Sequence, residues 1–231
     1  MIFRQLFERE SSTYTYLIAC ETTRKAALID TVKEDLPKYV QLLQELDLTL
    51  VYALDTHTHA DHITAAGALR DLTDCTTLLG EEAHSACVSH ALRDGEKIAV
   101  GELTLTALHT PGHTDDSYTY HLIDDSEQYL FTGDTLLIRG TGRTDFQNGD
   151  ARDQYDSIFQ KLLNLPDNTW VYPGHDYKGW TRSTIGEEKA HNPRLQVKDV
   201  AAYVDLMNNL QLPNPKLMDI AVPANRACGK N

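Results

Sequence analysis

Long apolar runs are missing from this sequence: nowhere do about 18 consecutive apolar residues occur, the span a membrane-crossing helix needs. The first ten residues, Met1 to Glu10, are interrupted by charge and carry no apolar segment of the kind a secretory leader uses, so neither secretion nor insertion is expected. Positive charge is scarce as well. Lys and Arg total 21 against 34 Asp and Glu, a net charge of -13. That balance argues against a surface made to neutralise nucleic-acid phosphates or anionic lipid, so no nucleic acid and no membrane are expected as partners. An anionic small substrate would need a local basic pocket. Cysteine is sparse: Cys20, Cys75, Cys87 and Cys228 stand without CxxC spacing, which excludes a zinc ribbon or a small disulfide scaffold. The first three read as small buried hydrophobes, and a reducing cytoplasm is the simplest location. Repeats and low-complexity linkers are absent too.

What is present suffices for one folded unit. A chain of 231 residues can bury a full core, and residues 1–231 are expected to form a single catalytic domain. Short runs rich in β-branched and aromatic residues predict strands at Ile2 to Phe7, Thr13 to Ala19, Ala26 to Ile29, Leu48 to Leu54, Thr76 to Leu79, Leu103 to Leu108, Tyr118 to Ile123, Tyr129 to Phe131 and Trp170 to Tyr172. Helical spacing predicts helices over Leu36 to Leu46, Ile63 to Leu72, Glu81 to His90, Ala151 to Leu163, Gly186 to Ala190 and Lys198 to Leu210. Strand runs with interspersed helices, in two successive halves, favour a layered α/β arrangement over one doubly wound parallel sheet.

The densest signal is Thr56-His57-Thr58-His59-Ala60-Asp61-His62, three imidazoles and a carboxylate directly after an apolar strand. On an extended segment His57 and His59 project the same way, and the turn into the next helix can bring Asp61 and His62 around the same point. Histidine and carboxylate suit zinc, iron or manganese, and a set without cysteine does not favour a purely structural thiolate site. His113, Asp134 and His175 follow later strands, each beside a glycine that lets the backbone turn tightly. Singly, each reads as an ordinary polar residue; together with the histidine cluster they read as a metal site. His84, His90, His109, His121 and His191 lie outside these motifs and read as ordinary surface or hydrogen-bonded histidines.

These motifs, HxHxDH, PGHT, TGDT and a final GH, resemble the metallo-β-lactamase superfamily. The resemblance implies a four-layer αββα sandwich, α/β in class, with two mixed, largely antiparallel sheets and the site at one edge. The segments Leu136 to Phe146, Ala221 to Asn225 and His175-Asp176-Tyr177 are similar to the persulfide dioxygenase family. That likeness implies an enzyme with one Fe(II) per chain that oxidises glutathione persulfide, with O2 and water, to glutathione and sulfite. Its iron ligands would be His57, His113 and Asp134, since two histidines and one carboxylate leave open positions beside the metal. His59, Asp61, His62 and His175 would orient ligands or form a second metal site, with Asp61 or His175 as proton acceptor. Arg143 would grip a glutathione carboxylate, with Arg139, Lys178, Arg182 and Tyr177 sharing the task, unless Arg143 serves instead in a structural ion pair with Asp145 or another acid. The resemblance also sets the Cys228 thiol near the substrate sulfur, an idea that stands level with simple packing. Asp115-Asp116-Ser117 departs from the superfamily pattern and puts the local loop shape in question.

The competing enzyme reading is a glyoxalase II-like thioester hydrolase in which the same donors hold two metals. Against it, the chain ends soon after Ala224, where that family would need a further helical region. A metal-storing or electron-transfer module ranks third, since no flavodoxin-like or rhodanese-like segment is present. A homodimer is compatible with the sequence but not specified by it.

Overall fold

The structure, a computed structural model, describes residues 1–212 and 217–229. The first half runs β1 (Ile2–Glu8), β2 (Thr13–Ala19), β3 (Lys25–Ile29), α1 (Leu36–Glu45), β4 (Thr49–Leu54), α2 (Ala66–Thr73), β5 (Thr76–Gly80) and β6 (His90–Leu92). The second runs β7 (Lys97–Val100), β8 (Leu103–His109), β9 (Tyr118–Asp124), β10 (Glu127–Gly133), α3 (Ala151–Asp156), β11 (Trp170–Pro173), β12 (Ser183–Thr184), α4 (Ile185–His191), α5 (Val200–Asn208) and α6 (Met218–Arg226). Each half builds one six-stranded sheet, in the orders β1-β2-β3-β4-β5-β6 and β12-β11-β10-β9-β8-β7.

Strand periodicity makes the layers. In β2 and β3, Tyr16, Ile18, Ala27 and Ile29 face the opposite sheet, where they join Leu105, Tyr118, Tyr120, Phe131 and Tyr172. Their alternates Leu17, Ala19, Ala26 and Leu28 turn outward against Tyr39 and Leu43 of α1 and Leu69 of α2. On the far side Leu130 and Val171 pack with Ile158, Leu162, Tyr203 and Met207. Two sheets between two helical coats is the expected αββα sandwich. Both sheets are mixed. Antiparallel pairing prevails in the second, whereas in the first β3-β4, β4-β5 and β5-β6 are all parallel: α1 and α2 serve as the first two crossovers, and the stretch through the Glu81–Ala83 turn as the third.

One local expectation is overturned, and some elements were not predicted. The stretch 81–90 is not a helix: a single 3-10 turn, Glu81–Ala83, ends at His84 with φ 48, and the chain then extends to pair β6 with β5. The Lys97–Val100 strand went unread although it alternates exposed and buried residues. Helix α6, which carries Pro223, was also unread; proline disfavours a helix interior and masks the signal. The predicted helix at 151–163 is a continuous helical path, with a π turn at Ser157–Lys161 and a 3-10 turn at Leu162–Asn164 after α3.

A disulfide joins Cys87 to Cys228 across 141 residues, so Cys87 is not a packed hydrophobe and Cys228 does not present a free thiol. Cys20 and Cys75 are free and buried, as expected. Two of the four cysteines are thus paired, and cysteine usage no longer favours a reducing compartment. Among the described residues no helix is long and apolar enough to cross a membrane.

Candidate metal centre

The loop between β4 and α2 carries His57, His59, Asp61 and His62, while His113 follows β8, Asp134 follows β10 and His175 follows β11. All seven donors converge at one edge of the sandwich. Gly112 and Gly133 adopt φ of 136 and 49, in the region that favours glycine, and an added Cβ on Gly112 would lie 2.3 Å from Gln154 Cα. Those turns aim His113 and Asp134 at the histidine loop.

Hydrogen bonds fix which imidazole nitrogen each histidine offers. His113 Nδ1 donates to the Arg143 carbonyl at 2.8 Å, so Nε2 faces Asp134 Oδ2, 3.6 Å away. Thr56 gives its hydroxyl proton to Asp30 Oδ2 at 3.0 Å and accepts from His57 Nδ1 at 3.0 Å, which leaves His57 Nε2 available to a metal. His59 Nε2 is anchored on Asp30 at 3.1 Å and His62 Nδ1 on Asp61 at 2.8 Å. Their remaining nitrogens, His59 Nδ1 and His62 Nε2, are buried without a hydrogen-bond partner, His59 Nδ1 lying 4.0 Å from Asp61 Oδ1. A buried orphan of that kind is costly unless a ligand completes it.

The donors fall into two groups whose ligand atoms lie within 4.8 Å of one another: His57, His113 and Asp134, and His59, Asp61 and His62. His175 sits between them, with Nδ1 at 2.7 Å from Asp134 Oδ1 and Nε2 at 2.9 Å from Asp61 Oδ2. Burial opposes charge on His175, but the two flanking carboxylates outweigh it and hold the imidazole well above its ordinary range. Burial likewise opposes ionisation of Asp134 and Asp61, yet His175 above all keeps both carboxylates well below theirs. Burial and then the neighbouring His59 and His113 push His57 far down, leaving it neutral, the form that ligates a metal. For His59 burial is outweighed by Asp30, and its pKa rises to about 9. Buried imidazoles with one nitrogen anchored and the other aimed into a shared space fit a cation with nitrogen and oxygen ligands.

The expected substrate contacts separate. Tyr177 is 72% exposed, its ring stacked parallel to His175 at 6.1 Å. Lys178 is exposed beside it. The Arg143 guanidinium meets Asp145 at 2.6 and 2.7 Å and lies 3.9 Å over the Phe146 ring, while its carbonyl serves His113. Arg139 is committed to Glu187 and the buried Glu188. Arg182 lies over Trp170 at 3.9 Å. The Cys228 sulfur is bonded to Cys87, so the expected thiol beside the substrate is not there. Of the histidines set aside as ordinary, His90 meets Glu96, His109 the Asp115 carbonyl and His121 Gln128, all away from the donor cluster.

Four buried residues that support the site were not singled out. Thr13 Oγ1 lies 3.1 Å from His175 Nε2 and donates to Asp61 at 3.2 Å. Asp30 binds Thr56 and His59, and its only sequence signal is a charge ending an apolar strand. Asp116, in the departing segment, accepts from the Thr58 amide at 3.0 Å and the Thr58 hydroxyl at 2.5 Å. Asn225 reaches the same loop from α6.

A twin-sheet sandwich with histidine and carboxylate donors at its edge defines a class, and the Metallo-beta-lactamase superfamily model matches residues 9–175: the chain belongs to that superfamily. It is similar, at 33% identity over 89% of this chain and 90% of the relative, to a probable hydroxyacylglutathione hydrolase of Schizosaccharomyces pombe. Within the superfamily it belongs to the persulfide dioxygenase family, being 45% identical over 99% of its length, and 89% of the relative's, to mitochondrial persulfide dioxygenase ETHE1 of Homo sapiens. The crystal structure of ETHE1 from Myxococcus xanthus superposes with a TM-score of 0.95 at 56% identity, covering 99% of this chain and 100% of that one.

Proposed function

We propose that this chain is a persulfide dioxygenase that oxidises glutathione persulfide, with O2 and water, to glutathione and sulfite, and that it works with one Fe(II). The observation that carries the reading is the His57, His113 and Asp134 cluster in a chain so similar, over nearly its whole length, to persulfide dioxygenases. These three residues would hold the iron, and the bound ion would supply a centre at which O2 and a persulfide sulfur meet.

The chain's own residues then divide the remaining work. The Thr56 hydroxyl and the Arg143 carbonyl hold His57 and His113 in the ligating tautomer. Asp61 accepts from Thr13, His62 and His175, and His175 links it to Asp134, so a proton released at Asp61 can be shared along that line. Tyr177 and Lys178, exposed at the site's rim, and Arg143 just behind it are the groups we assign to the glutathione moiety. Burial of His57, His59, His62 and His175 keeps bulk water away from the donors. We place the enzyme in the cytoplasm, where glutathione keeps thiols reduced, a placement that has to accommodate the Cys87–Cys228 bond.

The orphaned His59 Nδ1 and His62 Nε2 favour one alternative, a two-metal thioester hydrolase. Oxygen uptake with glutathione persulfide, read beside hydrolysis of S-lactoylglutathione and metal content of protein purified without added metal, separates the two. Oxygen consumption with about one iron per chain is expected for a single two-histidine, one-carboxylate site. Thioester hydrolysis with about two zinc ions would replace the proposal with the hydrolase.

A further inference from the structure

We propose that Asn225 is a positioning residue for the metal loop, and that the Cys87–Cys228 bond straps it in place. Between β4 and α2 the chain is irregular and largely buried, so its backbone polar groups cannot find partners in a helix or a ladder. Neighbouring backbone meets some of them, the Tyr118 amide at the Thr56 carbonyl and the Lys33 amide at the Ile63 carbonyl, and side chains supply others. Asp30 takes the Thr56 amide and Asp116 takes the Thr58 amide. Gln147 donates to the Thr58 carbonyl, and Asn225, 6% exposed, spans the turn from His59 to Thr64: Nδ2 donates to the His59 carbonyl at 2.9 Å and the His62 carbonyl at 2.8 Å, and Oδ1 accepts from the Thr64 amide at 2.8 Å.

Only a planar amide offers two donors and an acceptor from one short side chain. It closes the loop around Asp61 from the far end of the chain, more than 160 residues away in sequence. The segment that carries it is held on every side. Cys228 is disulfide-bonded to Cys87, Lys33 Nζ donates to the Gly229 carbonyl at 2.9 Å, and Ser85 donates to the Arg226 carbonyl at 3.2 Å. Packing onto α2 is so close that a Cβ on Gly67 would lie 2.2 Å from the Cys228 carbonyl oxygen. Asn225 is therefore delivered to the loop by a fixed end, and it sets where His59, Asp61 and His62 sit without itself meeting substrate.

The inference rests on the metal-site reading for its consequence, but not for its geometry, and the test keeps the two apart. Asn225→Asp preserves size and the acceptor while replacing the NH2 group, which supplies both donors, by one oxygen that faces two carbonyls, so it is expected to be at least as harmful as Asn225→Ala. The readouts are the rate of iron loss to a chelator and amide hydrogen exchange over residues 56–65, both taken where circular dichroism shows folded protein. Iron loss at least about 10-fold faster, with exchange accelerated in that loop and not across the sheets, is expected. Wild-type behaviour of Asn225→Asp in both would overturn the proposal, as would acceleration spread evenly through the protein. Should both Asn225 variants fail to fold, Cys87→Ser, which frees the strap from outside the site, is expected to speed exchange in the same loop. No change there would equally overturn it. A wild-type protein that takes up no metal would sink the site reading alone, since the exchange measurement still decides the role of Asn225.

Discussion

Asp30 holds Thr56 at two points, accepting from its amide through Oδ1 at 2.6 Å and from its hydroxyl through Oδ2 at 3.0 Å. The same Oδ1 faces His59 Nε2 at 3.1 Å, so one buried carboxylate orients both His57, through Thr56, and His59. Asp30→Asn puts an amide NH2 against donors. The expected cost is about 1.5–3 kcal/mol of stability and about 10–100-fold in metal affinity, read as a lower Tm and by chelator competition. Full iron affinity in the folded variant would exclude this orienting role.

Substitutions at the donors are expected to sort by group. Alanine at His57, His113 or Asp134 should abolish iron binding, while alanine at His62 or His175 should leave most of the iron and reduce turnover through disturbed ligand orientation. Elemental analysis of the folded variants checks this, and equal losses in both groups would contradict a single strong site.

Two arginines expected to share one task should now part. Arg143→Ala should raise KM for glutathione persulfide by about one decade with little change in kcat and normal iron, the mark of a lost charged hydrogen bond. Asp145→Asn, which releases the guanidinium from its ion pair, should lower KM. Arg139→Ala should leave KM alone and instead lower stability by about 3 kcal/mol, because Glu188 is fully buried and loses its cation. An unchanged KM in Arg143→Ala would remove that residue from substrate binding.

The β1–β2 turn should weaken in acid. Burial raises the Glu8 pKa, but hydrogen bonds from the Ser11 hydroxyl and from the Glu10 and Ser11 amides outweigh it, and the folded value is lowered. A lowered folded pKa means stability that is complete above the ordinary carboxylate range and is lost as pH falls through the folded value. Glu8→Gln should thus be less stable than wild type near neutrality and converge with it in acid. Parallel stability curves across the whole range would show that the carboxylate charge contributes nothing.

The donor set was legible because its chemistry is written in residue type: few structural needs explain three imidazoles and a carboxylate between positions 57 and 62. The layered arrangement was legible from strand runs and interspersed helices in two successive halves, and the four-layer sandwich from the resemblance; β2 and β3 are buried on both faces, so their burial shows no alternation. Partners were not. Asp30 is marked only as a charge ending an apolar strand, and Asp116 and Asn225 only as members of segments set against the family pattern; their roles do not show, since each acts across 26 to 166 residues on backbone groups that exist only once the loop is folded. The same reason hid the Cys87–Cys228 pairing, and it let the 81–90 stretch pass for a helix when edge pairing with β5 decides its course. Arg143 shows the converse. Its charge was visible, and so was Asp145, two residues on, as the acid that would otherwise engage it, which is the pairing the structure has.

His57 is delivered by the first sheet, whereas His113 and Asp134 are delivered by the second. A cation held by all three would be a rivet through the sandwich, set at the rim of an interior where Tyr16 meets Phe131 and Phe3 meets Tyr172, each at 5.0 Å. Seating the two halves and retaining the ion then become one thermodynamic coordinate. Anything that loosens that aromatic seam, however far from the donors, lowers metal occupancy, and metal in excess raises the melting temperature by mass action.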